Sequence, residues 1–151
     1  LRERSTEIDR DFLLKTKKQK LIKNMIPAMH TADGVGLAAP QVGHNIRICV
    51  INKIAIPAKH LLKQEDLVLV NPVWIKTSLR KTEDWEGCLS VPKKIGKVKR
   101  YKNVKVTALD ASGSPLSFSA ADLFARVIQH EVDHLDGVLF IDKAKDIKEV
   151  E

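Results

Sequence analysis

The segment His130-Glu131-Val132-Asp133-His134 constrains the fold of this 151-residue chain more than any other. Residues four apart on an α-helix share a face, so a helical segment aims His130 and His134 at one ion. Glu131, beside the first histidine, reaches the ion's open coordination position. This is the H-E-x-x-H arrangement of a hydrolytic metal site. The competing reading is a pair of surface histidines on a charged helix. Leu123 and Val127 precede His130 by seven and three positions on the same face, so the histidines look into a partly apolar space. Ser119-Ala120-Ala121-Asp122 matches a capping box, which predicts a helix running to about Leu135 with Gly137 just past its end.

Two imidazoles under-coordinate a metal, because tetrahedral catalytic sites use three protein ligands and a water. A zincin-type endoprotease would take the third ligand downstream. Asp136 lies too close, on or just after the helix end; Asp142 and Asp146 follow it, but no downstream His or Glu stands at a metzincin spacing. Upstream, Glu86-Gly87-Cys88-Leu89-Ser90 offers a thiol in a tight segment, with Gly87 permitting unusual backbone beside it. A third reading is non-enzymatic, a basic RNA- or ribosome-binding module with a structural ion. A closed structural site would use four protein ligands, which a single thiol and two histidines do not supply.

The remaining pattern predicts an α+β fold. An apolar stripe (Phe12, Leu14, Leu21, Ile22, Met25, Ile26, Met29) predicts an N-terminal helix over about Asp11 to Thr31, with a kink or break at Pro27. Strands are predicted over Arg47–Asn52, Leu67–Val70, Val73–Ile75 and Val104–Leu109. The chain reads as one domain over residues 1–151, without repeats or linkers. Two cysteines are too few for a disulfide scaffold, and no apolar run approaches the ~18 residues of a membrane helix, so a reducing compartment is the default. Lys+Arg exceed Asp+Glu by 26 − 19 = 7, which suits a polyanionic neighbour or solubility alone. Only 5% of residues are aromatic, a poor basis for an RNA-stacking platform. The run Lys93, Lys94, Lys97, Lys99, Arg100, Lys102 reads first as a solvated face. Cys49 reads as a buried small hydrophobe, His30, His44 and His60 as loop or surface residues, and Trp74 and Trp85 as packing residues, with Trp85 placed to wall the site beside Glu86. Asp133 points off the ligand face and reads as solvated or ion-paired.

Three motifs in order, Gly34-Val35-Gly36-Leu37-Ala38-Ala39-Pro40-Gln41, Glu86-Gly87-Cys88-Leu89-Ser90 and Gln129-His130-Glu131-Val132-Asp133-His134, make the chain resemble the peptide deformylases over about Leu1 to Asp142. The resemblance implies the family's fold, with short antiparallel or mixed β-sheets packed around a central metal-binding helix and an N-terminal helix. It implies Cys88, His130 and His134 as metal ligands, and Glu131, Gln41, Leu89 and Gly36 as the rest of the catalytic site. Val35, Gly34, Leu123, Val127 and Arg100 are implied as substrate-binding, with stabilisation of the site as the alternative role for Arg100. The activity implied is removal of formyl from the N-terminal methionine of new chains. A water activated by the ion attacks the formyl carbon, and Glu131 serves as general acid and base. The cofactor implied is one divalent ion, Fe(II) physiologically, with zinc, nickel or cobalt able to take its place. Implied partners are N-formylmethionyl peptides and the ribosome, with no membrane and no sequence-specific nucleic acid, for a monomer. The compartment implied is the bacterial cytoplasm, or an organelle if a transit peptide was removed. Arg126 departs from an apolar family position, and its stem is expected to pack at the pocket rim while its charge reaches water.

Overall fold

Residues 1–150 are described by a computed structural model. Helix α1 (Arg10–Leu13) and helix α2 (Thr16–Thr31) precede strands β1 (Gly36–Ala38), β2 (Ile48–Ile51), β3 (Leu67–Lys76), β4 (Lys81–Cys88), β5 (Val91–Tyr101), β6 (Asn103–Leu109) and β7 (Pro115–Ala121). Helix α3 (Asp122–Leu135) and strand β8 (Lys145–Glu149) follow. The strands form a five-stranded sheet, β1-β2-β3-β6-β7, and a three-stranded sheet, β4-β5-β8. Every named pairing is antiparallel.

Strand β2 shows how sequence places the layers. All four of its residues are buried, so it reads as an apolar run rather than an alternation. Side chains alternate across a strand, so Ile48 and Val50 pack with Met25 and Met29 of α2. Cys49 and Ile51 pack instead with Phe124, Ile128 and Leu135 of α3. The five-stranded sheet thus separates two cores, and α3 lies deep in one of them. No helix among the described residues is long and apolar enough to cross a membrane.

Three local expectations are corrected. The N-terminal helix does not break at Pro27, which sits inside α2. Pro27 is close to the helix's end, and burial of Ile22, Met25 and Met29 offsets its lost donor. The break falls instead at Leu14–Lys15, where Lys15 is extended and the next residues, Thr16-Lys17-Lys18, offer nothing apolar to bury. Ser119 is not an N-cap, because the chain continues as strand β7 until Ala121 pairs with Asn103, and α3 begins abruptly at Asp122 with φ 54°. The two predicted segments around Asn71-Pro72 form one strand, with a register shift between Val70 and Val73. Strands β4, β5, β7 and β8 lie outside the segments that the sequence pattern predicts as strands.

The far end of α3 matches its sequence. Gly137 has φ 77°, its N–H donates to the His134 carbonyl at 3.2 Å, and the Val138 N–H donates to that of Asp133 at 2.8 Å. These two bonds satisfy carbonyls that a helix end leaves open.

Candidate metal centre

Helix α3 supplies His130, Glu131 and His134, and the end of β4 supplies Cys88. The β4–β5 ladder slips between Gly87 and Cys88, and such a slip re-aims a side chain. The Cys88 Sγ lies 3.2 Å from His134 Nε2. The ligand atoms of Cys88, His130 and His134 all lie within 4.8 Å of one another. The thiol that sequence alone left separate from the histidines is therefore in their company.

Charge in this cluster is arranged to receive a cation. Burial would raise the Cys88 pKa, but hydrogen bonds from His130 and His134 outweigh it and hold it at about 5, favouring the thiolate that ligates metals. Burial would lower the His130 pKa, but Cys88 and Glu86 push it up to about 10. Burial raises the Glu131 pKa, and the carboxylate's Oε2 has no hydrogen-bond partner; the same is true of His134 Nδ1. A thiol held toward its thiolate and a buried carboxyl thus share an enclosed space beside two imidazoles. A divalent ion fits that donor set, since thiolate and imidazole suit iron, zinc, cobalt or nickel.

Glu86 orients the first histidine. Its Oε1 meets His130 Nδ1 at 2.8 Å, which leaves Nε2 as the free ring nitrogen. The same carboxylate accepts Arg100 Nε at 3.0 Å and Nη2 at 2.9 Å, and Arg126 Nη1 at 2.7 Å. Burial opposes its ionisation, yet Arg100 and His130 hold its pKa at about 2. Arg100 also donates to Asp133, which pairs with Lys143.

Two arginines are buried. Arg100 is 3% exposed, its guanidinium is committed to Glu86 and Asp133, and it does not line the cavity beside the cluster, so its contacts fit the stabilising role and not the substrate-binding one. The charge of Arg126 does not reach water. Arg126 is 7% exposed and donates to Glu86, to the Val98 carbonyl at 2.8 Å and to the Thr82 carbonyl at 2.7 Å. A charged residue in a buried place needs such partners, and none was visible while β4 and β5 were unrecognised.

A cavity of about 390 Å³ opens beside the cluster. Gly34, Val35, Gly36, Gln41, Leu89, Leu123 and Val127 all line it, with Trp85 as a wall. Gly36 is confined: a Cβ there would sit 2.9 Å from Glu131 Cγ and 3.1 Å from Val127 Cγ1. Gln41 accepts the Ala38 N–H through Oε1 at 2.9 Å, so its amide nitrogen turns toward Ser90 Oγ at 3.1 Å and Cys88 Sγ at 3.7 Å. Two supporting residues were missed. Ser90 belongs to the cysteine motif, which was its signal; Asn52, which donates to the Gly34 carbonyl at 3.1 Å, gave none. Of the other singled-out residues, Cys49 is fully buried, His30 pairs with Asp66, and His60 packs edge-on against Phe118 and Phe124.

A buried glutamate thus stands beside a thiol and two imidazoles that could together hold a metal ion, on a helix packed against antiparallel sheets. The chain belongs to the polypeptide deformylase family, whose model matches residues 1–150. A peptide deformylase of Pelotomaculum thermopropionicum is 40% identical over 150 residues, covering 99% of this chain and 88% of the relative. Peptide deformylase 1A, chloroplastic/mitochondrial, of Arabidopsis thaliana is 40% identical over 153 residues, covering 95% of this chain and 57% of the relative. A class I type b peptide deformylase crystal structure from Acinetobacter baumannii superposes with a TM-score of 0.85 at 34% identity, covering 95% of this chain and 91% of that one. The family is metal-dependent and removes the N-formyl group from nascent peptides; relatives are bacterial and organellar.

Proposed function

We propose that this chain, acting as a single catalytic domain, hydrolyses the formamide of N-formylmethionyl peptides and releases formate and a free amine. The observation that carries the reading is the buried, unpartnered carboxylate oxygen of Glu131 beside the Cys88, His130 and His134 donors. Those three residues would hold one divalent ion, Fe(II) in the cell or zinc, nickel or cobalt in its place, and the ion would polarise the formyl carbonyl and acidify a water. Glu131 takes a proton from the attacking water and returns it to the departing amine. Its burial suits it to this work, because a raised carboxyl pKa makes it a better base. As the carbonyl oxygen gains charge, the side-chain amide of Gln41 and the backbone N–H of Leu89 donate to it. Ala38 fixes which end of the Gln41 amide faces the reaction.

The cavity reads as a methionine pocket. Val35, Leu123 and Val127 offer apolar contact. Strand β1 is an edge strand, so an extended peptide would add beside Gly34, Val35 and Gly36 by backbone hydrogen bonds. Gly36 keeps Glu131 within reach by having no side chain. Arg100 is a positioning residue in this scheme, acting on His130 through Glu86. The substrate is met on nascent chains near the ribosome, by a monomer in a bacterial cytoplasm or in an organelle after a targeting segment is removed.

The test is anaerobic purification with metal analysis, coupled to formate release from a formyl-Met peptide. Formate and free amine in equal amounts, scaling with bound metal, support the reading. Protein loaded with one ion per chain that yields no formate refutes it.

A further inference from the structure

The lysine run that began as a solvated face belongs to a surface with a definite construction. Residues two apart on a strand share a face. Lys81, Glu83 and Trp85 of β4 stand opposite Tyr101, Lys99 and Lys97 of β5, in that order, and Lys145 of β8 stands opposite Lys97. The intervening residues Glu86, Val98 and Arg100 point inward and are buried. The outward face of β4–β5–β8 is therefore a lysine lattice. It borders a cleft of about 310 Å³ that Lys81, Lys97, Lys99, Lys143 and Lys145 line with Glu83 as its one acidic residue. Asp146 sits 4.0 Å from Lys97 and Asp133 pairs with Lys143, while Lys81, Lys99 and Lys145 have no carboxylate partner among the described residues.

Aromatic rings hold the ammonium groups at both ends. Lys76 and Lys81 lie 5.2 and 4.8 Å from the Tyr101 ring centre, and Lys97 and Lys148 lie 5.3 and 4.4 Å from that of Trp85. Cations so placed are pre-organised, which lowers the entropic cost of receiving an anion. Trp85 is also a wall of the catalytic cavity, so one end of this face is the cavity's rim.

We propose that the outer face of β4–β5–β8 docks the phosphate backbone of RNA without reading its sequence. Uncompensated lysines in rows suit a polyanion, and lysine is a point charge that supplies no base code. The cleft lining holds aromatic rings and no exposed aliphatic side chain, which a lipid surface would take up. The choice of RNA among polyanions rests on the family's action on nascent chains; the binding itself does not depend on the formamide reading, and its test reads no turnover. Docking here would leave the catalytic cavity open at the edge of the bound RNA.

The experiment measures anisotropy of a labelled 20-nucleotide mixed-sequence RNA with metal-loaded full chain across a salt series. The triple variant Lys81→Glu, Lys99→Glu, Lys145→Glu is compared with Lys17→Glu, Lys20→Glu, Lys23→Glu, which changes net charge equally on α2. The first triple is expected to weaken binding at least tenfold and to shrink the log–log salt slope by about 2, from ~0.7 per phosphate contact. The α2 triple is expected to stay within about twofold of the unmodified chain's affinity after the net-charge change. Lys99→Gln alone should lower the slope by about 0.7, and thermal midpoints report that each variant is folded. Equal losses in both triples, or no binding by the unmodified chain at 50 mM salt (roughly the low end of the range where such contacts show), overturn the proposal. So does capture by phosphatidylserine vesicles that the first triple abolishes while RNA is ignored.

Discussion

On the inner face of the β4–β5 hairpin, Glu86 and Arg100 are 8% and 3% exposed; Glu86 is bonded to Arg100, Arg126 and His130, and Arg100 to Glu86 and Asp133. One position along, on the outer face, Lys97 and Lys99 stand in or near water with few counter-charges. The same two strands thus carry charge under two regimes. Inside, desolvation makes an unpaired charge costly, so every ion is a structural member whose removal strands its partners. Outside, water screens the charges, so they add little to stability and are available to a partner.

Several substitutions would break or sharpen this contrast. Glu131→Gln stands at its extreme, since that carboxylate is buried and its Oε2 has no hydrogen-bond partner. We expect kcat to fall by roughly 10²–10⁴-fold with metal stoichiometry unchanged; formate assays beside metal analysis decide it, and near-normal turnover would remove Glu131 from proton transfer. Glu86→Gln should cost about 3–5 kcal/mol in urea unfolding, because buried Arg126 loses its carboxylate partner and Arg100 loses one of its two. It should also weaken metal binding by roughly 10–100-fold through the loss of the His130 Nδ1 contact.

The acid limb offers a related check. The folded pKa of Glu86, about 2, lies below its ordinary value of 4.5. The stability it contributes is therefore fully present above about pH 4.5, and is lost as pH falls from there toward 2. Urea midpoints of chelator-treated protein between pH 6 and pH 3 should show the gap between unmodified chain and Glu86→Gln narrowing in that window. A gap constant with pH would contradict the ion-pair account. Gly36→Ala should cost about 1–3 kcal/mol by overpacking and lower kcat/KM by displacing Glu131. On the outer face, Lys99→Gln should move stability by no more than about 0.5 kcal/mol; a larger loss would mean the two faces are not so different.

The same contrast explains what the sequence made legible. Helix α3 was readable because His130 and His134 recur at helical spacing and Gly137 marks the end. The nearness of Cys88 to the histidines is implied only by the resemblance, since nothing along the chain ties residue 88 to residue 130. Strands β4 and β5 were invisible because period-two patterning relies on apolar residues facing inward. In Lys81-Thr82-Glu83-Asp84-Trp85-Glu86 the inward partners are polar or ionic, and the alternation disappears. The burial of Arg100 and Arg126 was hidden for a related reason: an arginine is read as exposed until the carboxylate that accompanies it is known. Pro27 and Ser119 misled because local propensity yields to packing and to strand pairing.

Glu86 answers to Arg100, Arg126 and His130 at once. Energies routed through one shared carboxylate do not sum. In a double-mutant cycle of Arg100→Met and Arg126→Met, the second substitution should act on a carboxylate that has already lost one of its three partners, leaving an interaction energy of about 0.5–3 kcal/mol. The orientation of His130 is thus set through one carboxylate from two directions, so a change at either arginine alters what the other can hold.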